Sequence, residues 1–590
     1  MGKGYVRCLI GMAAAIVSHP AAATADADFE TLGQEFVDEW PAFSPVNATR
    51  LGDHRFDEQL DDISPSAMKR RIKFLRGLRD RLGEIDRDEL AVANKVDAEL
   101  LANELDYQLW QLETLRDWTW NPLVFTDLAG SAIYNLLARD FAPLPERLAD
   151  AAARLERMPR LLEQARKALE PARVPEIHAQ TAVKQNPGVV SIIDAMIAPV
   201  TGQLEADARE RLTAAIDEAK RAIGEHQTWL EEELLPNAKG DFRAGADLFD
   251  ARLRYTLHSP LSRTEIRERA EAEYQRVRQE MYEVAKQVYA KQYPYTLFPA
   301  APDETYRQAI VRAALDMAYA QRPEPDAIVE TAKQNLAQTT AFVREHDLVS
   351  MPDAPLEIII MPEFQRGVAV AYCDSPGPLD AGQKTFYAVA PLPDDWTAEQ
   401  VRSFLREYNL LSIQELTIHE AMPGHYLQIA HANQYPSTLR ALLASGPFIE
   451  GWAVYAEGMM VDAGYLDHDP LMRLINLKWY LRSITNAIID QAIHVDGMGR
   501  DEAMQLMIEG GFQEEREAAG KWVRAQLTFA QLSTYFVGYQ EHADLRRDVE
   551  EAWGEHFALK RYHDEVLSYG SPPVQFVRSL LLDEPVPSTN

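Results

Sequence analysis

The chain has 590 residues, 46% hydrophobic and 26% charged, which is too long for one small core and ordinary for a water-soluble globular protein. The net charge of −31 argues against a nucleic-acid partner, because phosphates need a basic surface. It favours solubility and, among substrates, cationic ones.

In chain order, the first stretch, MGKGYVRCLIGMAAAIVSHPAAATADA, places Lys3 and Arg7 before an apolar run from Cys8 to Val17. Small residues follow, with A-x-A patterns at Ala21–Ala23 and Ala23–Ala25. This is the layout of a secretory signal peptide over 1–25, so a secreted or periplasmic location is expected. Cys8 lacks the preceding small residues of a lipid-anchor site, and no later segment is apolar enough to span a membrane. Removal of the leader leaves Cys373 alone, which excludes an intramolecular disulfide.

Helical periodicity dominates residues 26–590, expected to form a single helical domain, or two lobes with a soft boundary near 236–245; a second soft boundary falls near Gln321–Pro325. Met68, Ile72, Leu75, Leu78, Leu82 and Ile85 form one stripe. Leu148, Leu155, Leu162 and Leu169 recur every seven residues, with Pro159 as an expected kink. Ser262 and Glu265 spell a capping box ahead of a face carrying Ile266, Ala270, Tyr274, Val277, Met281, Val284 and Val288. The pattern then changes. LEIIIM (356–361), GVAVAYC (367–373) and TFYAVA (385–390) read as short strands of a small antiparallel sheet. The loop Asp374–Gln383 joins the last two. Helix resumes after Thr397 and runs into HEAMPGH. The expected fold class is mainly α: a large multi-helix body with a small antiparallel sheet next to the helix carrying that motif.

HEAMPGH, 419–425, puts two histidines six residues apart. On a regular helix they would diverge by about 120° and could not share an ion. Pro423 lacks the N–H that would bond His419 and disfavours helix at Met422, and Gly424 permits unusual backbone angles. A break there can return His425 toward His419. Glu450 lies 25 residues after His425, and Glu457 is seven further on, on the same helical face. A carboxylate from this second helix completes a His, His, Glu set with one open position, the ligand pattern of catalytic zinc. Stray surface histidines and glutamates are the competing reading of the same residues.

HEAMPGHYLQ, EGWAVYAEG and QLSTYFVG resemble the bacterial domain of unknown function 885 family, as do ATRLGDHRFDEQLDD and YHDEVLSYGSPPVQFV near the two ends. The similarity covers nearly the whole mature chain. A more distant similarity is to helical gluzincin-type zinc carboxypeptidases and oligopeptidases, from which this motif departs by two extra residues between the histidines. These resemblances imply a zincin-like, cleft-forming helical body, Zn²⁺, and hydrolysis of short peptides. They imply His419, His425 and Glu450 as zinc ligands and Glu420 as general base toward a metal-activated water. Tyr535 is the expected oxyanion donor, Tyr539 the second choice, and a core aromatic the competing role for either. Glu457 is a candidate to orient a ligand histidine, with a solvated or salt-bridged carboxylate as its competing role. Arg482 and Arg578 are candidates for a peptide carboxylate, with salt bridges as their competing role. The strands around GVAVAYC and TFYAVA are candidates to pair with an extended substrate, and the Asp374–Gln383 loop to cover the cleft. Two alternatives stand beside a metallopeptidase: a zinc hydrolase of non-peptide amides or esters, and a non-catalytic helical binding protein with a degraded metal site.

Overall fold

A computed structural model describes residues 20–361, 370–380, 382–393 and 396–588. Most of the expected leader, and residues 367–369 of the expected second strand, lie outside these. Among the described residues no helix is long and apolar enough to cross a membrane.

The chain is mainly helical, and the periodic stripes become its buried faces. Leu75, Leu78 and Leu82 of helix Pro65–Glu84 are buried. Helix α1 (Leu144–Ala168) buries Leu148, Leu155 and Leu162 against α2 (Ala206–Trp229), with Leu212, Ala215 and Ala219 in the same cluster. The helix is continuous through Pro159. Ser262 and Glu265 form the expected capping box of α3 (Arg263–Gln292), whose Ile266, Ala270, Val277, Met281 and Val288 are buried. Between α2 and α3, residues 238–244 carry no helix, and Gly240 bridges Pro175.

Two departures concern the region around the motif. The expected antiparallel sheet is mixed: β1 (Leu356–Ile360) runs parallel to β3 (Thr385–Val389), and β2 (Ala371–Asp374) runs antiparallel to it, in the order β1-β3-β2. Segment 361–384 is long enough for the chain to cross back, so β3 returns beside β1 instead of forming a meander. The strand TFYAVA is therefore central, paired on both sides, and offers no edge to a substrate; β2 lies at an edge. The helix expected to run continuously from Thr397 is two. Thr397 caps the first, Ala398–Glu407. The chain then breaks at Tyr408, and Asn409 caps α4 (Leu410–Glu420) by accepting from the N–H groups of Leu411 and Ser412.

Beyond α4 lie α5 (His425–Ala432), α6 (Gly446–Asp462), α7 (Pro470–Gln491), α8 (Glu515–Leu527) and α9 (Ser533–Trp553). α6 and α9 cross backbone on backbone. A Cβ on Gly451 would sit 2.2 Å from the carbonyl carbon of Gly538, and one on Gly538 would sit 2.0 Å from the oxygen of Pro447. These are the glycines of EGWAVYAEG and QLSTYFVG, so those motifs bring two helix axes together as well as carrying polar groups.

Candidate metal centre

The backbone between the histidines departs from helix as its residues dictate. α4 ends at Glu420, Ala421 takes φ −128° and ψ −79°, and α5 starts at His425. The Gly424 N–H donates to Ile418 O at 2.9 Å, folding the chain back over the end of α4. A Cβ on Gly424 would lie 2.0 Å from His419 O and 2.3 Å from Ile418 O, so only glycine fits this approach. Its φ of −75° is ordinary; close contact, more than a left-handed backbone, requires the glycine. The Met422–Pro423 peptide is cis, and the Trp452 indole donates to Pro423 O at 2.9 Å, tying the turn to α6.

This turn brings the two imidazoles to 4.6 Å between ring centroids, at 83° to each other. Glu450 Oε2 approaches both, 3.6 Å from His419 Nε2 and 3.4 Å from His425 Nε2. These distances are long for a charge-assisted hydrogen bond, and Glu450 Oε2 is buried with no hydrogen-bond partner among the described residues. The 3.4 Å distance equals, and the 3.6 Å distance slightly exceeds, the separation of about 3.3–3.4 Å between two ligand atoms each about 2.0–2.1 Å from one tetrahedral ion. Ligand atoms of His419, His425 and Glu450 all lie within 4.8 Å of one another. A buried carboxylate oxygen aimed between two imidazole nitrogens without bonding either fits a metal ion. Burial works to raise the Glu450 carboxyl, but the two histidines hold it well below the usual carboxylate range.

His419 is oriented from behind. Its Nδ1 bonds Glu457 Oε1 at 2.6 Å, which directs Nε2 at the centre. Glu457 in turn meets Glu415, whose Oε1 accepts from the Asn476 amide at 2.7 Å. Burial raises both carboxyls, Glu415 well above the ordinary value; the Glu457 charge adds to the rise at Glu415, whereas His419 and the contact with Glu415 oppose it at Glu457. Glu415 and Asn476 had not been singled out in the sequence. The available signal was spacing, since Glu415 precedes His419 by four residues and shares its face.

Glu420 is buried, and its Oε2 accepts from the Cys373 N–H at 2.9 Å, so strand β2 fixes this carboxylate beside the histidines. Burial raises the Glu420 carboxyl, opposed by His419 and His425. The Cys373 thiol is pushed up to about 12 by burial, which removes it as a nucleophile.

The remaining candidates bond none of His419, Glu420, His425, Glu450 and Glu457 and have other partners. Tyr535 is half-buried on α9, and its hydroxyl accepts from Arg524 Nη2 at 3.1 Å. Tyr539 packs on Tyr480, 4.3 Å between centroids. Arg482 is ion-paired with Glu517. Arg578 bonds Asp548 at 2.5 Å and Glu584 at 2.9 Å. The Asp374–Gln383 loop is strapped to the N-terminal region. Arg139 holds Asp374 at 2.7 Å, Leu379 N–H donates to Leu51 O at 3.0 Å, and His54 Nε2 bonds Asp380 at 3.0 Å.

Residues 45–581 match the family described as bacterial protein of unknown function (DUF885). A solved structure described as a candidate lipoprotein of unknown function from Shewanella oneidensis is similar over 94% of this chain and 99% of its own, with 31% identity and a TM-score of 0.79. A second candidate lipoprotein, from Colwellia psychrerythraea, shares the fold at 18% identity and a TM-score of 0.76, over 95% of this chain and 99% of its own. No curated protein matches the chain.

Proposed function

The chain belongs to the DUF885 family, whose function its description leaves open, and we propose from its own side chains that it is a zinc-dependent metallopeptidase acting on short peptides. One observation carries the reading: the buried, unbonded Glu450 Oε2 aimed between His419 Nε2 and His425 Nε2, with the Glu420 carboxylate held alongside.

His419, His425 and Glu450 would hold the ion, whose two imidazoles and one carboxylate suit zinc better than a hard cation or a thiolate-seeking metal. Bound there, Zn²⁺ supplies Lewis acidity that activates water and polarises a carbonyl. Glu457 and Glu415 fix the tautomer and direction of His419 through Nδ1. Glu420 takes a proton from the attacking water and returns it to the leaving amine. Tyr535 keeps its hydroxyl proton free while accepting from Arg524, which suits it to donate to the oxyanion. The lipoprotein descriptions of both structural neighbours support a place outside the cytoplasm, as does the leader pattern of residues 1–25.

The test is a panel of short peptides and matched esters on the zinc-supplied protein, with Glu420→Gln alongside. Peptide cleavage lost in the variant supports the reading; cleavage of esters alone moves it to a non-peptide hydrolase. Bound metal without any hydrolysis moves it to a binding protein.

A further inference from the structure

We infer that Lys521 and Arg524, beside Tyr535, form a binding site for a carboxylate, which on the reading proposed above is the free C-terminus of a short peptide substrate. The inference starts from unmatched donors. Lys521 lies on α8 with only 5% of its side chain exposed, yet its Nζ makes no hydrogen bond to any described residue. The carboxylate oxygen near it, Glu517 Oε1, is 3.8 Å away. That carboxylate is already the direct ion-pair partner of Arg482. The other acidic neighbour, Glu407, accepts from Lys478 at 2.8 Å. Once these pairs are matched, Lys521 has no carboxylate of its own.

Arg524, one turn along α8, is in the same position. Its Nη2 donates to Gln531 Oε1 at 3.0 Å and to the Tyr535 hydroxyl at 3.1 Å, both neutral acceptors, and it forms no ion pair among the described residues. Trp479, stacked 5.6 Å from the Arg482 guanidinium, adds an indole N–H that is buried without an acceptor among the described residues. A local excess of cations and donors is unexpected in a chain of net charge −31. Burial, together with Arg482, pushes the Lys521 ammonium down to about 7, the cost of leaving it unpaired. A carboxylate would supply the missing charge and acceptors, facing Lys521 as a point charge and Arg524 as a planar fork. Arg524 is exposed, so the group can be reached from solvent. Glu420 and the three proposed metal ligands take no part in it.

The test compares acetyl-Ala-Ala-Phe with its C-terminal amide by calorimetry, on the full chain carrying Glu420→Gln to block turnover. The free acid should bind about tenfold more tightly than the amide, and Lys521→Met and Arg524→Gln should each erase the difference. Arg524 is exposed, so its variant keeps the test open even where Lys521→Met fails to fold. An acid and amide that bind alike, or do not bind at all, overturn the inference, as does a preference that survives in a folded variant. The two proposals can fail separately. A tenfold acid preference in a protein that cleaves no peptide removes the peptidase reading and leaves this site. Equal cleavage of acid and amide does the reverse.

Discussion

Helices α1 and α2 pack with leucines and alanines, whereas α4 and α6 add carboxylates and an imidazole to their apolar contacts. In the first pair, Leu148, Leu155, Leu162, Leu212 and Ala219 are buried and carry no group that needs a partner. In the second, Glu415 and Glu420 of α4 and Glu457 of α6 are buried, with His425 of α5 buried beside them. Burying an ionisable group is costly unless a partner offsets it. Each of these three glutamates has at least one bonded oxygen, to Asn476, the Cys373 N–H or His419 Nδ1, although Glu415 Oε2 is left without a partner. Glu450 forms no hydrogen bond to any described residue, and its Oε2 is buried. The apolar pair shows how this chain makes a helix interface when only stability is required. The polar pair departs from that solution, and the proposed metal site is the demand that would explain the departure.

The largest effect that would sharpen the contrast is on turnover. Glu420→Gln should lower kcat by about 10²–10⁴-fold with metal content unchanged, read by steady-state kinetics beside metal analysis. Retained turnover would leave Glu420 a structural group no different from its apolar counterparts. Glycines come next. Gly538→Ala should destabilise the protein by about 3 kcal/mol or more, because its Cβ meets the Pro447 carbonyl and the Gly451 backbone. Chemical denaturation measures this.

His54 tests the seam between the N-terminal region and the loop that follows β2. Burial opposes its charge, but Asp380 and Asp57 raise it to about 9. The folded value lies above the unfolded value of about 6.5. The stabilisation is therefore fully present below about pH 6.5 and is lost as pH rises through about 9. Denaturation midpoints across that window should fall for the natural protein by up to about 2 kcal/mol and stay flatter for His54→Gln. The smallest effect belongs to α2. A Cβ on Gly224 meets nothing within 4 Å, so Gly224→Ala should stabilise by about 0.5–1 kcal/mol. A loss at Gly224 as large as that at Gly538 would erase the distinction between the two helix pairs.

Apolar stripes such as Leu148–Leu169 and the face of α3 were legible because burial and periodicity are one signal there. The capping boxes at Ser262 and Thr397 were legible because they are local. The sheet order was not: β3 pairs with a strand that precedes β2, and no local residue encodes that choice. The break at Tyr408–Asn409 was missed because the apolar spacing continues across it, although Asn409 is an N-cap residue. In the motif, Pro423 and Gly424 announced the departure from helix. That the glycine is required by contact with His419 O emerges only in three dimensions. Glu415 offered only its four-residue spacing from His419, and Asn476, Lys521 and Arg524 were invisible for a related reason. Each looks like an ordinary charged or polar helix residue until its neighbours, from elsewhere in the chain, are seen around it.

The most direct test is metal content of the purified protein after supply of zinc, measured beside Glu450→Ala. About one zinc per chain, lost in the variant, is the expected result. No metal in the natural protein, or full occupancy in the variant, would contradict the assignment of His419, His425 and Glu450 as the centre.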